Sequence, residues 1–375
     1  MNWHITRIFN GKTSIFLDAI RFIAAFTVFL AHAQAIWFPE KELDPTPSHL
    51  SHGAVVVFFV LSGFVIAHTT TNKKRGIKEY MAARFSRLYS IFFPAIIITI
   101  ICSFVLYYLH PVLWHEYDRG KSFFRYSISL IFCNEIWLFS SAPKINGPIW
   151  SLSYEFWYYM IFGLFFYRKK GLPNLIIPAL ACLIAGPKII LMMFIWLTGW
   201  LVYFLPRPKL KPEASWLVVF FLMLCSILLM LYLPAFPFAV NTGKLHWADQ
   251  FITDWIIGLV IGGALLFLPN VPIQYRDNSK AVLFFRKLGD LTFPVYVLHF
   301  PLLVLAKSLI PNHQSRANQF FIGVIFVLAV VSIIGLYLES KRKYWNRFFT
   351  TIIEKIHFAV EKAKVNFISY NSSKN

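Results

Sequence analysis

The sequence predicts an all-α protein: a polytopic transmembrane helical bundle of about ten spans, with both termini cytoplasmic. Three observations carry that expectation: an apolar composition, ten apolar runs of spanning character, and an uneven spread of basic residues between them. Of 375 residues, 58% are hydrophobic and only 14% charged, against roughly 25% charged in soluble domains. Phe alone accounts for 40 residues. One soluble core of this size could not bury so much apolar surface, so lipid must solvate most of the chain.

A helix needs about 20 apolar residues to cross the ~30 Å hydrocarbon core. Runs of that character are Leu17–Trp37, His52–His68, Leu88–His110, Trp150–Tyr167, Leu175–Pro187, Ile189–Leu205, Trp216–Leu233, Phe251–Leu268, Leu288–Ala306 and Gln319–Leu338. The fifth is short and meets the sixth at Gly186-Pro187-Lys188. A further run, Ser127–Phe139, is too short to cross and reads as re-entrant or interfacial.

With the N-terminus inside, the cytoplasmic segments hold 27 of the 36 Lys and Arg residues, leaving 9 for the outer ones. That is the bias of the positive-inside rule. The strongest inner cluster joins Lys73, Lys74, Arg75, Lys78, Arg84 and Arg87, whereas the first outer loop carries Glu40, Glu42 and Asp44. Because the basic residues sit in short loops between apolar runs, the formal charge of +19 reads as membrane orientation and not as nucleic-acid binding. Cys102, Cys133, Cys182 and Cys225 are isolated, without metal-ligand or redox spacing, and read as packing residues. No metal site is expected. The first apolar run is long enough to span, so no cleaved signal is expected. Two regions follow: a membrane domain over residues 1–340 and a basic, amphipathic cytoplasmic tail over 341–375. Tyr344, Trp345, Phe348, Phe349, Ile352, Ile353 and Ile356 would lay that tail along the inner membrane surface. No appended soluble domain is expected.

Ionisable residues within lipid mark function by default. His32, His299 and Glu155 lie well within the spans, and Asp254 near a helix end. Arg21 and His32 are eleven residues apart, which places them within about 20° on one helix face and roughly 16 Å apart along the axis. His32 and Glu155 each lie five residues from the outer end of their runs, or roughly 7–8 Å deep. At one depth they could pair, which would raise the basicity of the imidazole; a structural polar pair joining two helices would look the same. Ser62-Gly63 reads either as close helix packing or as room for a slender ligand. Arg84 and Arg87 share a helix face, suited to phosphate and equally to orientation. His299 lies between Pro294 and Pro301, which suggests a cavity or a structural role.

Several stretches then resemble one family in order. Leu17-Asp18-Ala19-Ile20-Arg21 followed by His32 is similar to the opening helix of acyltransferase family 3 membrane proteins. Phe58-Phe59-Val60-Leu61-Ser62-Gly63-Phe64 resembles its second-helix signature, and Arg84-Phe85-Ser86-Arg87 its arginine motif. Trp150-Ser151-Leu152-Ser153-Tyr154-Glu155 resembles its WSL-x-x-E motif, and Leu288-Gly289 through Tyr296-Val297-Leu298-His299 its late segment, with Pro294 a departure. The resemblance implies a bacterial, multi-pass enzyme of the cytoplasmic membrane that acylates glycans or glycosylated metabolites. It implies catalysis by His32 with support from Arg21 and Glu155, and donor contacts from Arg84 and Arg87. Ser62 and Gly63 are further expected beside the donor, and Trp150, Ser153 and His299 beside the acceptor.

The expected reaction moves an acyl group, acetyl first, from acyl-CoA to a carbohydrate hydroxyl at the outer side. Acyl-CoA is a co-substrate, and no tightly bound cofactor is expected. The CoA phosphates would rest near Arg84, Arg87, Arg21 and Lys73–Arg75, and the acceptor would be a surface polysaccharide, lipopolysaccharide or lipid-linked glycan. Other partners are membrane lipids. A transporter or flippase for a lipid-linked glycan, or a non-catalytic assembly partner, stands as the alternative.

Overall fold

The structure, a computed structural model, describes residues 12–39, 46–72, 76–269, 280–311 and 314–372. The acidic loop of Glu40, Glu42 and Asp44, and the proposed phosphate contacts Lys73–Arg75, lie outside the described residues. Among the described residues the regular structure is helical throughout. Every one of the ten apolar runs falls on a helix: α1 (Lys12–Trp37), α2 (Thr46–Asn72), α3 (Ile77–Leu109), α6 (Trp150–Phe166), α7 (Ile176–Ala185), α8 (Pro187–Phe204), α9 (Pro212–Tyr232), α10 (Phe251–Leu266), α11 (Lys280–Leu309) and α12 (Arg316–Ser340). Two short helices, α4 (Pro111–Tyr117) and α5 (Ser122–Leu130), follow α3, and α13 (Arg342–Ser372) ends the described chain. The chain is an all-α polytopic membrane protein.

Side-chain contacts give the helix directions. Along α2, His52 stacks on Trp150, Ser62 meets Tyr159 and Trp196, and His68 meets Tyr203. Hence α2, α6 and α8 run parallel, and α7 between the last two must run back. Its reversal uses Gly186, whose φ of 84° suits a residue without a Cβ. Asp18 touches Gly289 and His32 touches His299, so α1 and α11 are parallel, and α12 returns with Trp37 beside Gly323 and Pro294 beside Gly335. The end of the bundle carrying Asp18, Arg84 and Gly289 is the basic end; the other is the far end.

Seven of these helices are long and apolar enough to cross a membrane, whereas α6 with 17 residues, α7 with 10 and α10 with 16 are shorter. Together they form the expected all-α polytopic bundle. A roof of irregular chain lies over the far end. Residues 131–149 cover the start of α6, and a buried ion pair, Lys188 Nζ to Glu135 Oε2 at 2.6 Å, pins that segment to α8. Ser153 Oγ and Trp157 Nε1 both donate to the Phe132 carbonyl, at 2.6 and 3.0 Å. Phe132 itself has a φ of 55°, an uncommon conformation for a bulky residue that these two donors hold.

Two glycines let α2 and α8 touch. A Cβ at Gly63 would overlap the Trp196 carbonyl, and one at Gly199 the Val60 carbonyl; small residues give lipid-embedded helices this close approach. In α11, Pro301 has no N–H for the Val297 carbonyl. Asn146 Nδ2 supplies the missing donor at 3.2 Å, so the roof is stitched to the helix that carries His299. At the basic end, α13 packs Phe349 against Phe85 and Tyr89 of α3, and Trp345 against Phe93, with the rings tilted. The tail's apolar face therefore meets α3 along this stretch.

Candidate active site

Among the described residues, two cavities bring the expected site residues together. The one nearer the basic end, about 70 Å³, is lined by three guanidiniums: Arg21 from α1, and Arg84 and Arg87 from α3. Its single lining carboxylate is Glu155. Glu155 Oε1 accepts a short hydrogen bond from Tyr159 and one of 3.3 Å from Ser62 Oγ. Trp196 Nε1 donates to Ser62 at 3.2 Å. Arg84 lies 5.8 and 5.7 Å from the ring centroids of Tyr80 and Tyr159, and its buried Nε has no hydrogen-bond partner. Arg21 approaches Asp18 at 4.0 Å, while no described carboxylate forms an ion pair with Arg84 or Arg87. Three guanidiniums against one carboxylate leave the lining net positive, and a cavity so lined favours an anion.

The second cavity, a chamber of about 710 Å³ towards the far end, is within the ~300–1,000 Å³ of small-molecule sites. His32 lines it together with His49, His52, Trp150, Trp247 and Gln250. Glu116 and Arg119 also line it and balance in charge. Val55 and Tyr296 line both cavities and form the septum between them. The Tyr296 hydroxyl donates to the Pro148 carbonyl at 2.9 Å and is 2.7 Å from Ser151 Oγ, which fixes that part of the septum.

The partner of His32 is His299. Their rings lie 5.1 Å apart, and His32 Nδ1 is 3.0 Å from His299 Nε2. Hydrogen-bond logic assigns the protons. His299 Nδ1 faces the carbonyls of Val295 and Tyr296 at 2.9 and 2.8 Å; both only accept, so Nδ1 carries the hydrogen. In a neutral His299, Nε2 is then a lone pair, and the proton between the rings sits on His32 Nδ1. His32 Nε2 is thereby left as the lone pair of a ring that lines the chamber.

The expected pairing of His32 with Glu155 is not formed. Glu155 lies level with Ser62, well inside α2, whereas His32 shares its chamber with Ser48, His49 and His52 at the start of that helix. Counting depth from the start of α6 assumed that Trp150 sits at the interface. In fact Trp150 is buried beneath the roof, between His52 and Trp247, which submerges the whole helix. His299 is fully buried and lines neither cavity, because the carbonyl bonds draw its ring against α11; it reaches a ligand only through His32. Ser153 likewise lines neither cavity, its hydroxyl being spent on Phe132. Gly63 serves the α2–α8 contact and is not a lining residue, unlike Ser62. Arg21, Arg84, Arg87, Ser62 and Glu155 gather in the basic cavity, and Trp150 edges the chamber with His32.

Sequence reasoning missed the chamber-lining His52 and Trp247, and Tyr159 and Tyr296. His52 and Trp247 sit at run boundaries, where hydropathy looks like an interface, and the tyrosines are common among the 17 of this chain. The late helix did carry one usable signal, a histidine flanked by two prolines.

Comparison with known proteins agrees with the resemblance. The chain belongs to the acyltransferase 3 family, whose model, described as an acyltransferase domain, matches residues 14–338. It is 30% identical over 165 residues to the acyltransferase MdmB of Streptomyces mycarofaciens, covering 42% of this chain and 40% of the relative. It is 34% identical over 152 residues to protein 2 in the picA locus of Rhizobium radiobacter, covering 38% and 76%. It is 30% identical over 159 residues to an O-acetyl transferase of Shigella phage Sf6, covering 39% and 44%. The chain thus spans less than half the length of the first and third of these relatives. No solved structure matches it.

Proposed function

We propose that this member of the acyltransferase 3 family is a membrane O-acyltransferase that moves an acyl group, acetyl first, from acyl-CoA to a hydroxyl of a carbohydrate acceptor. The basic end faces the cytoplasm of a bacterial cell and the far end faces outward. Acyl-CoA approaches from the basic end, with its phosphates on Arg84, Arg87 and Arg21. Its slender arm runs along α1, where roughly 16 Å separates Arg21 from His32. The cavity of about 70 Å³ admits such an arm only if Phe58 and Val55, which line it beside Tyr296, swing aside.

The observation that supports this reading best is the 3.0 Å contact between His32 and His299. With His299 holding the Nδ1 proton, His32 Nε2 takes the proton of the acceptor hydroxyl. The imidazolium that forms shares its Nδ1–H with His299, whose own Nδ1–H rests on carbonyl dipoles. The hydroxyl oxygen attacks the thioester carbon, an ester C–O bond forms, and the C–S bond breaks. The leaving CoA sulfur then takes the proton from His32, so the base is regenerated. Glu155, set among the arginines, tempers the positive charge of the donor side and orients Ser62 and Tyr159.

Two cavities divided by a septum also fit a transporter or flippase with alternating access. Purified protein with acetyl-CoA and a glycan acceptor separates the two readings. Acceptor-dependent release of free CoA thiol, lost in His32→Ala, supports transfer. Acceptor movement across proteoliposomes without thiol release would replace it with transport.

A further inference from the structure

The chamber carries a second held imidazole that the transfer chemistry leaves unused. His52, in the first part of α2, places Nε2 2.9 Å from Oδ2 of Asp254 on α10. Asp254 is fully buried, and its Oδ1 accepts from Gln250 Nε2 at 2.9 Å. A buried carboxylate needs donors facing its oxygens, so His52 Nε2 carries the hydrogen that faces Oδ2. In a neutral His52, Nδ1 is then a lone pair, and it has no hydrogen-bond partner among the described residues. The ring's tilt is set as well: it lies near-parallel to Trp150 at 6.0 Å and 11°, and Trp150 is near-parallel to Trp247 at 4.8 Å and 4°.

The chamber therefore holds two fixed imidazoles, His32 with Nε2 unprotonated and His52 with Nδ1 unprotonated. Each asks for a hydroxyl donor. A carboxylate or phosphate ligand would set lone pairs against lone pairs, and the lining, with one Glu and one Arg, offers no net charge to hold it. A ligand with several hydroxyls on a saturated ring fits both needs, its C–H edges lying along the indoles.

We propose that His52, held by Asp254, is the acceptor-positioning residue: its Nδ1 accepts from one hydroxyl of a neutral ring polyol and so decides which other hydroxyl meets His32. This deepens the acceptor reading above and rests on it. A simple structural pin between α2 and α10 would use Nε2 alone, and that difference provides the test.

Purified protein in detergent is given acetyl-CoA with methyl glucoside, galactoside, mannoside or rhamnoside, and thiol release and product positions are followed. His52→Gln keeps a donor to Asp254 but nothing at Nδ1, whereas His52→Asn keeps an oxygen at Nδ1 but loses Asp254. For the accepted glycoside, His52→Gln raises acceptor KM roughly tenfold, as one binding hydrogen bond implies. It changes the ratio of acetylated positions and leaves the KM for acetyl-CoA within about twofold of wild type, the lost bond touching acceptor alone. His52→Asn stays closer to wild type in acceptor KM although it melts lower. Unchanged acceptor KM and product positions in His52→Gln overturn the proposal while leaving acyl transfer intact. So does an acceptor KM that tracks melting temperature, with His52→Asn the worse variant. Turnover of acetyl-CoA with an anionic acceptor such as methyl glucuronide, but with none of the four glycosides, overturns the neutral ring polyol. An absence of thiol release by the wild type under every acceptor overturns the acyltransfer reading itself, and this inference with it.

Discussion

The basic cavity and the far chamber share Val55 and Tyr296 as a wall, yet they are built on different physics. The first is narrow, about 70 Å³, and carries three guanidiniums against one carboxylate. The second is tenfold larger, about 710 Å³, and carries imidazoles, indoles and amides, with the charges of Glu116 and Arg119 balanced. The proposed donor, charged and flexible, and the proposed acceptor, neutral and bulky, would need those opposite environments. Fixed positive charge holds an anion well at a helix mouth, but beside the reacting base it would oppose the positive charge that the imidazole gains in the reaction or bind the wrong ligand. The separation also explains why Glu155 belongs to the arginines and His32 to another histidine.

The comparison can be broken most sharply at His32. His32→Ala should lower kcat by about 10²–10⁴-fold, the range for a general base, with membrane abundance near that of wild type. Initial rates of thiol release at equal protein measure this; activity above about a tenth of wild type, short of the loss a general base implies, would remove the base assignment. Next comes His299, which acts through His32. His299→Ala should cost roughly 10–100-fold, as partners that orient a functional imidazole do. On the His32→Ala background it should cost almost nothing more, since residues acting as one unit are non-additive. Independent, multiplying losses would break the dyad.

The double variant Arg84→Ala with Arg87→Ala tests the other cavity. Acyl-CoA affinity by calorimetry should fall about tenfold or more, and the remaining binding should respond less to salt because screened charge contacts have gone. Acceptor KM should hold. A rise in acceptor KM instead would erase the division between the cavities. The smallest effect is expected for Glu155→Gln, which keeps shape and hydrogen bonding to Ser62 and Tyr159. Donor affinity should change by a few-fold, on the order of one partly screened charge interaction, and by the same factor whether His32 is present or replaced by Ala. Dependence on His32 would restore a direct link between the two residues.

How much was readable in advance differs by level. The ten apolar runs each became a helix, and the residues destined for the basic cavity were named one by one: Arg21, Arg84, Arg87, Ser62 and Glu155. Arginines at helix mouths advertise themselves, because charge within an apolar run stands out in one dimension. His32 was equally conspicuous, but its partner was misassigned. Glu155 and His32 lie the same number of residues from their run ends, and the roof over α6 moved one of them deeper. The roof depends on the Glu135–Lys188 pair and on the donors to Phe132. None of these carries a periodic signal.

What the sequence by itself determined is the helical bundle and its alternating passes. In lipid each segment must satisfy its own backbone hydrogen bonds, so an apolar run of the right length has one local solution, and short basic loops orient it. What only the tertiary structure decided is which face meets which. His299 rather than Glu155 stands beside His32, Asp254 turns His52, and Gly63 meets α8 instead of a ligand. These choices follow from the tilt, depth and close approach of helices far apart in the chain. Between helices in lipid no gain from leaving water sets the register; close packing and hydrogen bonds do, and both act across the bundle.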